Sequence, residues 1–220
     1  MSKTNEYTNH TGGAYGADTY GCIIGIEYGF NNHNHYRPYD NVRLSKKLRD
    51  KGLKPFILDK VNLDVARNKI NKLLGKDYQD NIMGNLQARN YYQVGNSDTI
   101  YCFSRKRGKA TVYGGTNTAL QLAIALDVEA YVYDIDEYVW YKYNKDSKLL
   151  ELCKPPVLTK NYAIIGSRDC EKYSVKDNKT GCWGVRGGYI GEHAENIVKK
   201  TISKLYEDTL KSIGEFDEYY

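Results

Sequence analysis

The 220-residue chain has no apolar run approaching the ~18 residues that a membrane-spanning helix requires, so a membrane partner is not expected. Its first residues, Met1-Ser2-Lys3-Thr4-Asn5-Glu6, lack the charged-then-apolar pattern of a secretory signal, and a cytoplasmic setting is the expectation. Cysteine is sparse and odd in number: Cys22, Cys102, Cys153, Cys170 and Cys182 form no C-x-x-C pair and match no zinc spacing. That argues against a disulfide framework and against a metal centre. No stretch rich in Pro, Gly and Ser divides the chain and no internal repeat is present, so residues 1–220 read as a single domain. There is no basic arm either. The net charge of +5 is spread along the sequence, which weighs against a nucleic-acid partner and suits an anionic small molecule at least as well. The catalytic signatures G-x-S-x-G, G-x-G-x-x-G and the P-loop are all missing.

What the chain does have is tyrosine, at 22 residues, and a regular alternation of short apolar runs with amphipathic stretches. Tyrosines lining a pocket can stack on bases and bond phosphates. The alternation predicts an α/β fold: a Rossmann-like three-layer sandwich with a mostly parallel sheet. Strands are expected at Glu6–His10, Pro55–Leu58, Thr99–Phe103, Ala110–Tyr113, Ala130–Tyr133 and Tyr162–Ile165. Helices are expected at about Ala17–Tyr28, Asn41–Asp50, Leu63–Leu74, Gln79–Tyr91, Thr118–Leu126 and Glu192–Lys211. An added hairpin at about 138–153, turning at Asn144-Lys145-Asp146-Ser147, would extend a sheet edge or meet a second subunit.

Two glycine turns carry the functional signal. The first, Gly12-Gly13-Ala14 with Gly16-Ala17-Asp18, follows the first strand; the second, Gly114-Gly115-Thr116-Asn117-Thr118, follows another. Glycine lets backbone approach a ligand closely, and the helix start that follows favours an anion. Thr116 and Thr118 can donate hydroxyls to phosphate oxygens, and Asp134 ends the next strand. Asp18 reads either as a capping carboxylate or as a ligand for a ribose hydroxyl. Both turns would lie beyond the carboxyl ends of the strands, where open α/β sheets bind ligands.

The run Gly12-Gly13-Ala14-Tyr15-Gly16-Ala17-Asp18 resembles the first nucleotide-binding loop of the SLOG superfamily, which includes DprA/Smf and lysine-decarboxylase-like (LOG) proteins. Arg89-Asn90-Tyr91-Tyr92-Gln93-Val94 and Ser97-Asp98-Thr99-Ile100-Tyr101 are similar to that family's central helix and strand. Val112-Tyr113-Gly114-Gly115-Thr116 through Leu122-Ala123 resembles its second loop, and together these segments cover most of residues 10 to 135. Val157-Leu158-Thr159 through Ile165-Gly166-Ser167-Arg168 is similar to phage-encoded members. The resemblance implies a sheet whose glycine loops hold nucleotides or nucleotide-derived signals, and a homo-oligomer.

LOG enzymes cleave the base from a nucleoside monophosphate with the glutamate of P-G-G-x-G-T-x-x-E. Here Tyr113 stands at the proline, Asn117 at the later glycine and Gln121 at the glutamate. A neutral amide cannot act as a base or stabilise an oxocarbenium centre, so the sequence favours a binder without turnover. Asp134, Asp136 or Glu192 would have to replace the acid in an N-glycosidase or phosphoribohydrolase. Arg89 with Asn90 is expected to clamp phosphate, and Arg168 invites the same reading. His33-Asn34-His35 reads as a polar loop without a third metal ligand; His10 and His193 stand apart from it. The expected role is sequestration of a cyclic ADP-ribose-type molecule or cyclic oligonucleotide, as a phage-encoded antagonist of host immune signalling would require. No catalytic residue, cofactor or metal is expected. A DNA-binding role like that of DprA is the third reading.

Overall fold

A computed structural model describes residues 2–14, 16–166 and 192–215 of the chain. Met1, Tyr15, residues 167–191 (with Arg168, Cys170 and Cys182) and the acidic aromatic tail 216–220 lie outside the described residues, as do the side chains of Glu192, His193 and Ala194.

After a short 3-10 turn at Lys3–Glu6, the first half runs β1 (Thr8–Thr11), α1 (Ala17–Glu27), β2 (Asn32–Pro38), α2 (Lys46–Asp50), β3 (Phe56–Leu58), α3 (Lys60–Leu74) and α4 (Ile82–Gly95). The second half runs β4 (Thr99–Ser104), β5 (Lys106–Gly108), β6 (Thr111–Val112), α5 (Thr116–Ala125), β7 (Glu129–Asp134), β8 (Val139–Asn144), β9 (Leu149–Cys153), β10 (Asn161–Gly166) and α6 (Glu192–Ile213). Eight strands form one sheet in the order β3-β2-β1-β10-β4-β7-β8-β9. The first six are parallel, and β8 and β9 add an antiparallel hairpin to one edge. This is the expected α/β sandwich.

Alternation along the central strands sorts the core into two faces. Tyr101, Phe103, Tyr133, Tyr162 and Ile164 pack with α1 and α6. Ile100, Cys102, Ala130, Val132, Ala163 and Ile165 pack with α3, α4 and α5. Six tyrosines, Tyr7, Tyr20, Tyr101, Tyr133, Tyr162 and Tyr206, are buried in the first face, where Tyr162 and Tyr206 share a hydroxyl pair and Tyr101 stacks on Tyr131. Cys22 and Cys102 are buried and free. α3 shows why such sequences become helices: Leu63, Ala66, Arg67 and Ile70 form its buried stripe. Asp59 caps its start through the Asn62 N–H at 2.7 Å, and Gly75 ends it in a left-handed conformation.

Several expectations need correcting. The His33–His35 segment is not a loop but part of β2, paired with β1 through His33 and His35. Both imidazoles fall on one side, with ring centroids 6.1 Å apart. The first strand begins at Thr8 rather than Glu6, because residues 3–6 close into the 3-10 turn. The expected helix from Asn41 starts only at Lys46, since residues 41–45 run as irregular chain. Ala110–Tyr113 is not a strand of the main sheet; Thr111–Val112 pairs with Lys106–Gly108 in a separate small hairpin.

Candidate functional site

The chain moves outward from β1 to β3 with α1 on one face, and outward from β4 to β7 with α5 on the other. Direction reverses across the central strand β10, and a crevice opens beyond the carboxyl ends of the strands at such a point. An open cleft of about 590 Å³ lies there, within the size range of small-molecule sites. Gly13, Ala14, Asp18, Arg89, Asn90, Gly115 and Thr116 of the sequence-derived set line it. The two glycine turns thus meet at one site. Helices α1 and α5 both start there behind glycines, Gly16 and Gly115, with no side-chain cap. By contrast, α3 and α4 start on the side chains of Asp59 and Asn81. The backbone at Gly16 has φ of 97°, a conformation open to glycine.

The peptide of Gly12 organises the floor. Its N–H donates to Asp18 Oδ1 at 3.1 Å, and its carbonyl accepts from Arg37 Nη1 at 3.2 Å and from Arg89 Nη1. Arg89 lies flat against this peptide: a Cβ on Gly12 would overlap its guanidinium group. Asp18 Oδ2 accepts the Gly166 N–H at 3.0 Å, and its Oδ1 also accepts from Thr11 Oγ1 at 3.4 Å. Asp18 therefore ties the first glycine turn to the end of β10 instead of capping α1. Arg37 also holds residues 39–45 by donating Nε and Nη2 to the carbonyl and side-chain oxygens of Asn41, both at 2.8 Å.

The electrostatics follow from burial. Asp18, Arg37 and Arg89 are all buried, so two guanidinium groups face one carboxylate. Burial lowers the Arg37 pKa to about 10, with the neighbouring Arg89 charge adding to the effect and Asp18 opposing it. Burial likewise lowers Arg89, against the pull of Asp18. Burial raises the Asp18 carboxyl, while Arg89 and the bonds from Gly166, Gly12 and Thr11 act in the other direction. Arg43 adds a third positive charge at the rim. An anion entering the cleft relieves this surplus.

The remaining candidates are turned elsewhere. Gln121 donates to the Ala110 carbonyl at 2.8 Å and pins the small hairpin. Asp134 accepts the N–H groups of Lys106, Asp136 and Glu137, closing the turn into β8. Asn117 accepts from the Val112 N–H, and Thr118 pairs with Tyr78. Gly114 has φ of 72° and shapes the approach to α5. Asp136 pairs with Arg105. Arg37, Asn41, Ser45, Gln87 and Gln93 line the cleft and were not singled out from sequence. Among the described residues, no cluster of three or more His, Cys, Asp or Glu side chains is arranged to hold a metal. No described helix is long and apolar enough to cross a membrane.

Fold and site together define the class: a Rossmann-like α/β protein with an arginine-rich cleft at its topological switch point. The chain matches no family model, no curated protein and no solved structure.

Proposed function

We propose that the cleft binds a phosphorylated, nucleotide-derived molecule and holds it without turnover. The observation that carries this reading is the paired grip of Arg37 and Arg89 on the Gly12 carbonyl, with Asp18 as their buried counter-charge. It leaves positive charge where two glycine turns and two helix starts converge. Against turnover stands the chemistry of the acids. Asp18 is the one carboxylate among the described lining residues, and its oxygens are engaged by Gly12, Gly166 and Thr11. Gln121, at the position of the LOG glutamate, is an amide committed to Ala110.

The SLOG resemblance supplies the ligand class: a cyclic ADP-ribose-type molecule or cyclic oligonucleotide. Sequestering such a signal is the biological role that fits a tight binder, and a phage countering host immune signalling would have use for it. Mass spectrometry of small molecules released by heating the purified protein tests this reading. Intact nucleotide recovered at close to one per site is the expected result. A free base or ribose phosphate with the nucleotide consumed would make the protein an N-glycosidase or phosphoribohydrolase. Calorimetry showing no heat with any nucleotide would overturn both.

A further inference from the structure

Helix α4 presents Arg89 and Gln93 one turn apart, on the same face and at the same cleft. Gln93 is 1% exposed, yet neither its Nε2 nor its Oε1 has a partner in the protein. The Nε of Arg89 is likewise buried and unpartnered. Leaving such groups unpaired is costly, so folded chains seldom keep them without a use. Apolar side chains stand around the same space: Leu44, Leu86 and Ile165 line the cleft.

We propose that Gln93 is the base-reading group of the cleft, its amide pairing with a nucleobase edge that carries a donor beside an acceptor. This rests on the reading of the cleft as a nucleotide site. The chemistry selects a base over a phosphate. A phosphate offers only acceptors, so it would satisfy Nε2 and leave Oε1 facing a like charge. A planar base edge satisfies both atoms of the amide at once, as glutamine does when it reads adenine. The apolar walls suit the faces of a ring, while Gly13, Ala14, Thr116 and Arg43 remain for the phosphate.

The test is calorimetry of wild type, Gln93→Met and Gln93→Glu with the 5′-monophosphates of adenosine, guanosine, cytidine and uridine, and with ribose 5-phosphate. Ribose 5-phosphate carries the sugar hydroxyls and phosphate but no base. Wild type is expected to prefer at least one nucleotide over ribose 5-phosphate. In Gln93→Met that preference should fall about tenfold or more, the size of one bidentate contact. Gln93→Glu, which loses the donor, should change the order of preference among the four bases. The melting temperature of unliganded Gln93→Met should hold or rise, because an unpaired buried amide is replaced by an apolar chain of similar length. An unchanged preference in both variants would overturn the base-reading role and leave the nucleotide site standing. So would wild type binding ribose 5-phosphate as tightly as every nucleotide. A melting temperature several degrees lower in Gln93→Met would make the amide a structural group and overturn the role too. No binding of any of the five probes by wild type would overturn the base-reading role, while the nucleotide reading of the cleft is decided separately by the mass spectrometry of released ligand.

Discussion

At the scale of single residues, Gly12 is where the fold and the site meet. Its N–H is held by Asp18, and its carbonyl takes two guanidinium groups that arrive from 25 and 77 positions further along the chain. The absence of a side chain is what lets Arg89 lie against the peptide. Gly12→Ala puts a methyl group into the guanidinium, so Arg89, the far end of a flexible side chain bordering the open cleft, must swing off the Gly12 carbonyl. That movement relieves the overlap, and the disturbed charge-assisted bond costs roughly 1.5–3 kcal/mol. Gly12→Ala is therefore expected to lower the urea midpoint clearly and to abolish nucleotide binding. A midpoint equal to wild type would mean that the close approach of Arg89 is not a feature of the folded protein.

The element with the least ordinary chemistry is β2, whose polar strand sets a half-buried His33 beside a buried His35. Neither ring nitrogen of His35 has a partner, and burial lowers both pKa values to about 4, opposed at His33 by the Phe30 backbone and reinforced at His35 by the charges of His33 and Arg37. Both imidazoles are neutral when folded at pH 7, whereas the unfolded chain protonates them near the ordinary value of about 6.5. The unfolded state thus binds more protons between those limits. Their contribution to stability is fully present above about pH 6.5 and is lost as pH falls toward 4, at about 1.4 kcal/mol per histidine per pH unit. Urea midpoints measured at pH 7, 6 and 5 should fall at each step, and a flat profile would contradict neutral burial. The same element shows where sequence reading fails. Apolar strands such as Thr99–Ser104 and Asn161–Gly166 were legible because a run of buried side chains announces them. Asn32-His33-Asn34-His35 has no such signature, and only tertiary burial makes it a strand. The glycine turns were legible for the opposite reason, since their chemistry is local. Arg37 and Gln93 were not, because they reach the cleft from β2 and α4 through long-range packing that spacing alone does not encode.

Taken as a whole, the molecule separates its jobs by face and by end. Tyrosines fill the core against α1 and α6, aliphatic side chains fill the other face, and the arginines gather where the strands end. Among the described residues the cleft is lined by arginine, amide, hydroxyl and aliphatic groups with one carboxylate, and no aromatic side chain stands in it. A net charge of +5 spread over the surface gives only a mild general attraction for anions, so selectivity must come from the local arginines. Arg43 isolates that contribution, being exposed at the rim, whereas Arg37 and Arg89 are built into the floor. Arg43→Ala is expected to leave stability within about 0.5 kcal/mol, as surface changes do. It should nevertheless weaken binding of adenosine 5′-monophosphate about five- to tenfold at low salt, the worth of roughly one charge-assisted contact. Raising salt from 0.1 M to 1 M shortens the screening length from ~10 Å to ~3 Å. The gap between wild type and variant should therefore narrow in parallel, because an exposed charge is screened while the buried pair on Gly12 is not. Calorimetry at both salt concentrations reads this directly. Equal affinities at low salt would place the phosphate away from Arg43, whereas a gap that persists at 1 M would mean that the rim closes over the ligand and shields the contact from solvent.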